Sequence, residues 1–384
     1  RAAKAGSLLP FRDKPHRPAL HHSVVMNSTR FPIAFAIIAF LFSAAAFGQT
    51  PTPTPKIEEE EGVVKIESRL IVVPVAITNA AGEPVQGLTQ KDFRLTEESR
   101  TQVIEAVATA DAVPLEIALL FDVSASTDAM FKFEQDTAAK FLREVMRAND
   151  RATIFTIGER PVLIQARDTA ERSIAAINAI VPTKKYTAFY DSVGDAATYL
   201  EKNAPAGTRR VIVVISDGED TNSTRISKAI QAGYVKAGKS INTLDQKTLY
   251  QMTVKNRDTA AMQERVRIVR ALQDADTVFY SINPAGTSVQ LNKMSMFGQE
   301  NMQKFADDTG GSAFLPKFLP IDTKDTLANS SNMRKNAEVL ERIFRQLAAE
   351  LRAQYLVQYY SDADYADGKF VKLQVDLNNR PDLK

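Results

Sequence analysis

Two short stretches hold the residues best able to do chemistry. Asp122-Val123-Ser124-Ala125-Ser126 closes the apolar run Leu115 to Phe121, and Ser216-Asp217-Gly218-Glu219-Asp220 closes a second run, Val211 to Ile215. In an extended turn, alternate residues point the same way, so Asp122, Ser124 and Ser126 can converge on one point. Asp217 would reach that point from a neighbouring strand end, and Thr187, in Lys184-Lys185-Tyr186-Thr187 just before a helical stretch, offers a third hydroxyl. Carboxylates and hydroxyls with no thiol or imidazole form a hard, all-oxygen donor set. Such a set with few direct charges suits Mg2+ better than a fully caged Ca2+, although Mn2+ and Ca2+ are alternative occupants.

The composition narrows the chemistry to the same donors. The 384 residues include no Cys and three His, and His16, His21 and His22 all precede Met26, in residues 1–25 that read as a non-native upstream extension. The mature chain is therefore expected to lack both residue types, which excludes His-based triads, Cys nucleophiles, disulfide frameworks and Cys/His metal sites. With 44% hydrophobic and 24% charged residues the chain has a globular composition. Residues 1–48 contain six of the 48 basic residues and one of the 46 acids, so the rest carries 42 basic against 45 acidic residues. That balance argues against a nucleic-acid partner.

The N-terminal part predicts export. Residues 26–48 place one charge, Arg30, before the apolar run Phe31 to Phe42 and end in the small residues Ala46 and Gly48, flanking Phe47. This is the layout of a secretory signal peptide cleaved before Gln49, so a secreted, periplasmic or cell-envelope location is expected. Phe31 to Phe47 reaches the lower limit for a span, and membrane attachment follows only if the segment stays uncleaved. Residues 49–61, with alternating Thr and Pro from Thr50 to Pro55 and then Glu58 to Glu61, form an extended, solvated linker.

The elements that must position the candidate ligands follow from periodicity. Residues 62–112 contain strand-like runs at Leu70 to Ile77, Phe93 to Thr96 and Gln102 to Val107, too few strands for an independent sandwich. Residues 353–384 supply Gln354 to Tyr360 and Phe370 to Leu377, so the two flanks are expected to pair into a small β-sandwich-like domain. Between them, residues 113–352 alternate strands and helices. Strands are expected at Leu115 to Phe121, Thr153 to Ile157, Val211 to Ile215 and Thr277 to Ile282. Helices carry Ala138, Phe141, Leu142 and Val145, then Ile174, Ile177 and Ile180, then Phe189 to Leu200, Met262 to Leu272, and Leu340 to Leu351. The expected fold is a doubly wound, mostly parallel α/β sheet with helices on both faces. Ligands of such sheets bind beyond the carboxyl ends of the strands, where the two acidic turns fall.

The ordered set Asp122, Ser124 and Ser126, then Thr187 ahead of Phe189-Tyr190-Asp191-Ser192, then Asp217 in Ser216-Asp217-Gly218 resembles the metal-ion-dependent adhesion site of von Willebrand factor type A (VWFA) domains, over about residues 113–352. That resemblance implies Ser124, Ser126 and Thr187 as hydroxyl ligands of Mg2+, Asp122 and Asp217 as acidic ones, and a partner's carboxylate completing the shell. Lys185-Tyr186 stands where the family usually has glycines. The flanks, with Val72-Val73-Pro74-Val75, Gly82-Glu83-Pro84-Val85, Gly87-Leu88-Thr89 and Asp92-Phe93, and then Tyr355, Tyr359, Tyr360 and Asp367-Gly368-Lys369-Phe370, resemble VWFA-related proteins of Acidobacteria. Those proteins usually continue past Lys384, which implies a truncated chain.

Gly233 to Ser240 fits the phosphate-loop pattern GxxxxGK[ST], but no buried strand precedes it, so nucleotide binding is not expected. It lies in an insertion, about residues 223–257, that reads as a flexible basic loop beside the proposed ion, with Lys228, Lys236, Lys239 and Lys247. Asn283 to Gln299 reads as a second irregular stretch. The leading expectation is an exported, non-enzymatic adhesion protein that binds an Asp or Glu carboxylate of a protein partner through Mg2+. The alternative is an envelope structural or assembly module whose metal only stabilises the fold. Hydrolysis of phosphate esters or nucleotides is a third reading, and no general base beyond the candidate ligands supports it.

Overall fold

The structure, a computed structural model, describes residues 8–10, 70–81, 83–110, 113–124, 131–183, 185–238, 243–284, 293–320, 324–361, 363, 365 and 369–383. The chain divides into two compact units, residues 1–12 with 68–384 and residues 13–67, and every described residue belongs to the first. The expected signal segment and linker lie outside the described residues.

Strands β1 (Leu8–Pro10), β2 (Leu70–Val75), β3 (Phe93–Glu97), β4 (Arg100–Gln102) and β5 (Ile104–Thr109) precede the α/β region. That region runs β6 (Leu115–Asp122), α1 (Phe131–Val145), β7 (Arg151–Ile157), β8 (Val162–Asp168), α2 (Ala170–Asn178), α3 (Phe189–Asn203) and β9 (Arg209–Ile215). It continues through α4 (Thr224–Ala237), α5 (Gln246–Asp274), β10 (Thr277–Ile282), α6 (Lys293–Thr309), β11 (Ala313–Phe314) and α7 (Thr326–Arg352), and β12 (Tyr355–Tyr360) and β13 (Phe370–Leu377) follow.

The large sheet has the order β11-β10-β9-β6-β7-β8, parallel throughout except for β8, which is antiparallel to β7. Its central strands are apolar at nearly every position because both faces are covered. Alternation divides them between two cores: Leu115, Ile117, Leu119 and Phe121 of β6 face α1, α2 and α7, while Ala118 and Leu120 face α3, α5 and α6. Strand β9 divides the same way, with Val211, Val213 and Ile215 on one face and Ile212 and Val214 on the other. This is the doubly wound arrangement that the sequence predicts. Among the described residues no helix is long and apolar enough to cross a membrane.

The flanks pair as expected. Strand β12 lies between β2 and β5, and β13 lies between β1 and β3 in a sheet that β4 completes. One core, including Val73, Val75, Phe93, Leu95, Tyr355, Val357, Tyr359, Leu373 and Val375, fills the space between these two small sheets. It is the β-sandwich-like part of the fold.

Three expectations need correction. Strand β8 has no counterpart in the sequence reading, because its apolar residues Val162, Leu163 and Ile164 sit exposed on the sheet's edge and are too few to stand out. The insertion is a helical hairpin rather than a flexible loop: α4 buries Ile226, and α5 is capped by Asp245, whose carboxylate accepts from Thr248 N–H at 2.7 Å. The stretch from Asn283 to Gln299 is only partly irregular, since α6 starts at Lys293.

Candidate metal centre

The two acidic turns meet because β6 and β9 are hydrogen-bonded neighbours at the centre of the sheet, with Phe121 opposite Ile215. Asp122, the last residue of β6, is fully buried. Its Oδ1 accepts from Ser124 N–H at 2.9 Å and its Oδ2 accepts from the Ser216 hydroxyl at 2.6 Å. Ser216 in turn accepts from Gly218 N–H at 3.0 Å, so one serine fixes both Asp122 and the turn that carries Asp217. Gly218 has φ +76, a conformation that favours glycine, and a Cβ there would lie 2.6 Å from the Gly298 carbonyl oxygen of α6. The turn is thereby pressed against α6, where Ser295 donates to Glu219.

Thr187 enters from a third side. Its backbone is held on both flanks: its carbonyl accepts from Thr221 and Asn222 N–H at 2.9 Å each, its own N–H donates to the Thr221 hydroxyl at 2.9 Å, and Ala188 N–H donates to Gly158 at 2.7 Å. Lys185 and Tyr186 are exposed, so the loop accommodates them by turning both outwards while Thr187 stays buried. Asp122, Ser124, Thr187 and Asp217 therefore sit on turns at the carboxyl edge of the sheet, tied to one another directly or through their neighbours. Ser126 lies outside the described residues.

The donor set fits a hard cation. Every candidate ligand offers oxygen, and among the described residues nothing hydrogen-bonds the Thr187 hydroxyl or the second carboxylate oxygen of Asp217, whose Oδ1 accepts from Glu219 N–H at 3.0 Å. Among the described residues no three acids or imidazoles are grouped tightly enough to hold an ion by themselves. A metal here would depend on hydroxyls and water as well as the two aspartates, which suits Mg2+. Burial, reinforced by the charge of Asp217, pushes Asp122 up to about 6. A nearby cation would reverse that cost by stabilising the ionised form.

Three residues matter here that the sequence reading did not single out. Ser216 orients Asp122, as above. Asp220, 7% exposed and pushed up to about 6 by burial, accepts from Tyr190 N–H at the start of α3 and from Ser223 N–H, each at 3.0 Å, and so locks the second acidic turn onto the α3 terminus. Glu134 in α1 is 1% exposed, and among the described residues neither of its carboxylate oxygens has a hydrogen-bond partner. Burial raises its proton affinity well above the carboxylate range, and the charges of Asp122 and Asp217 add to the effect. A sequence signal existed for Glu134: it occupies the same stripe as Phe131, Ala138, Phe141 and Val145, where the helical period calls for an apolar residue.

The insertion reaches this edge of the sheet. Arg257 and Asp258 of α5, paired at 2.9 Å, line a shallow cleft together with Gly218 and Asp220 of the acidic turn and Phe297 and Gly298 of α6. The phosphate-loop match, by contrast, is explained by packing. Gly233 lies inside α4, where a Cβ would meet the Asn256 side chain of α5 at 1.8 Å, and Gly238, with φ +52, ends that helix. No strand precedes the motif, so it lacks the strand, loop and helix order of a phosphate site. Lys239 and Ser240 lie outside the described residues.

Among curated proteins, none matches the chain in sequence. Several solved structures resemble it. An aerotolerance-related membrane protein from Bacteroides fragilis shares 14% identity over 59% of this chain and 99% of its own, with a TM-score of 0.35. Proximal thread matrix protein 1 from the mussel byssus, described with a zinc-occupied metal-ion-dependent adhesion site (MIDAS) motif, shares 12% identity over 67% of this chain and 50% of its own, with a TM-score of 0.39. The PilB minor pilin from Streptococcus sanguinis shares 12% identity over 66% of this chain and 64% of its own, with a TM-score of 0.40. Residues 117–219 match the von Willebrand factor type A domain, and that segment spans all five candidate ligands, from Asp122 to Asp217.

Proposed function

We propose that the chain is an exported, non-enzymatic binding protein of the secreted, periplasmic or envelope space that captures a carboxylate of a protein partner through a Mg2+ ion held by Asp122, Ser124, Ser126, Thr187 and Asp217. The observation that carries this reading is the convergence of the Asp122, Thr187 and Asp217 turns at the carboxyl edge of the sheet, where the Thr187 hydroxyl and one Asp217 carboxylate oxygen have no hydrogen-bond partner among the described residues. When bound, the ion supplies a Lewis-acidic position open to an Asp or Glu side chain. The chain's own part is orientation: Ser216 and Ser124 N–H aim the Asp122 carboxylate, and Thr221 and Asn222 anchor the Thr187 loop. These bonds tie the turns together within the polypeptide itself. That supports a metal used for binding over one needed to hold the fold, the envelope-scaffold alternative. The cleft between α5, α6 and the acidic turn lies beside the site and supports a role for the insertion in partner choice.

The test is a pull-down from envelope extract with wild type and Asp217→Ala, with and without chelator. Metal-dependent capture predicts partners that disappear on chelation and with the variant. Identical partners in all four arms would sink the adhesion reading and favour the scaffold alternative.

A further inference from the structure

We propose that Glu134 is a third carboxylate of the metal centre, acting on the ion through water; the inference rests on the metal-dependent reading above. Glu134 is buried in the first turn of α1, the helix that follows the Asp122-Val123-Ser124 turn, and both of its oxygens lack a partner among the described residues. The charges that reach it, those of Asp122 and Asp217, are acids from the two turns that would hold the ion. No lysine or arginine among the described residues answers it. A buried polar group in a native fold almost always has a partner, and a carboxylate without one implies a proton, a water or a cation from outside the chain.

A proton alone does not settle the matter. A protonated carboxyl gains a donor that needs an acceptor and still has an oxygen that needs a donor, and among the described residues neither is at hand. A hydrated divalent cation between Asp122 and Asp217 answers both problems, since its waters are strong donors and its charge reverses the repulsion among the three acids. Direct ligation is not required, in agreement with the absence of a tight three-acid cluster among the described residues. The position also shows the cost of the residue: its helical stripe is otherwise filled by Phe131, Ala138, Phe141 and Val145, all apolar and buried.

The experiment is calorimetric titration of the full chain with Mn2+ and with Mg2+, comparing wild type, Glu134→Gln, Glu134→Met and Asp217→Ala, with a thermal melt of each in chelator. Glu134→Met is included because an unbranched apolar side chain suits the stripe and should fold even if the glutamine does not. Wild type is expected to bind one ion, and both Glu134 variants to bind it about 10–100-fold more weakly while melting no lower than wild type in chelator. If a folded Glu134 variant binds as tightly as wild type and Asp217→Ala does not bind, Glu134 has no part in the centre and the adhesion-site reading survives. If wild type shows no saturable binding of either ion, both this inference and the reading it rests on fall.

Discussion

Two glutamates in this molecule are buried to the same degree, 1% exposed, and the fold treats them in opposite ways. Glu97, between the small flanking sheets, accepts from the Tyr359 hydroxyl at 2.9 Å, the Ser361 hydroxyl at 2.8 Å and the Gln102 amide at 3.3 Å. Glu134, under the carboxyl edge of the large sheet, accepts from nothing among the described residues. Glu116, 2% exposed at the opposite end of β6 from Asp122, is gripped by the Arg167 guanidinium through bonds of 2.7 to 2.9 Å. Where buried charge serves only the fold, the chain supplies its own donors. The unanswered charge lies next to the edge where a ligand from solution is expected, which separates the self-contained flank from a site completed from outside.

That contrast can be broken or sharpened in several ways. Asp217→Ala is expected to weaken Mg2+ binding by more than about a hundredfold, since loss of an outer partner alone costs about 10–100-fold. Glu97→Ala should leave the affinity unchanged, and calorimetry on both variants checks the pair. Glu97→Ala should instead cost about 3 kcal/mol of stability, because it removes the one acceptor that the Tyr359 and Ser361 hydroxyls and the Gln102 amide share. The midpoint of urea unfolding measures this, and an unchanged midpoint would mean that the Tyr359, Ser361 and Gln102 network is not needed.

Gly298→Ala links the site to α6. Its Cβ would lie 2.7 Å from the Asp217 carbonyl oxygen and 2.8 Å from Glu219 N, and overpacking of this kind costs about 2 kcal/mol. Mg2+ affinity should fall with it, because the turn carrying Asp217 must move; a loss of stability with unchanged affinity would uncouple α6 from the site.

For pH the sign is set by Asp122. In the metal-free fold it holds a proton below about 6, so a divalent cation must displace that proton in acid. Apparent Mg2+ affinity should therefore fall about tenfold for each unit below that value. A titration series from pH 5 to 8 tests the direction, and an affinity that is flat across the series would remove Asp122 from the site.

The smallest expected effect has the opposite sign to that of Glu97→Ala. Glu134→Met, melted in chelator, should stabilise the metal-free protein by about 1 kcal/mol, because an apolar side chain of similar size replaces a buried group without a partner. Destabilisation by a similar amount would show that Glu134 already has a structural partner and would end the contrast between the two glutamates.

Much of the fold is legible in the sequence because burial leaves a pattern along the chain. Leu115 to Phe121 and Val211 to Ile215 read as central strands since both of their faces are covered, and the pairing of the chain's two flanks followed from each having too few strands alone. The α4–α5 hairpin did not stand out as a packed element, because its first half packs largely on itself and buries little beyond Ile226. At the candidate site, Asp122, Ser124, Thr187 and Asp217 are expectations from residue type and strand context, and the fold places their turns at one sheet edge. The bond from Ser216 to Asp122 and the unpartnered burial of Glu134 are not legible in this way, because a residue's type does not reveal who its neighbours are.

The amino-acid inventory settles the donor chemistry before any fold exists: beyond residue 22 the chain has neither His nor Cys, so an ion can be held only by oxygen. Residue periodicity, a local property, likewise orders the central strands and the helices around them. Pairing β6 with β9 is a different kind of event. It brings Ser216 within 2.6 Å of Asp122 across 94 residues of chain and leaves Glu134 under the same edge without a donor among the described residues. Whether a buried charge is answered depends on groups brought close only by folding, so no pattern along the chain distinguishes Glu97 from Glu134, and the packed structure does.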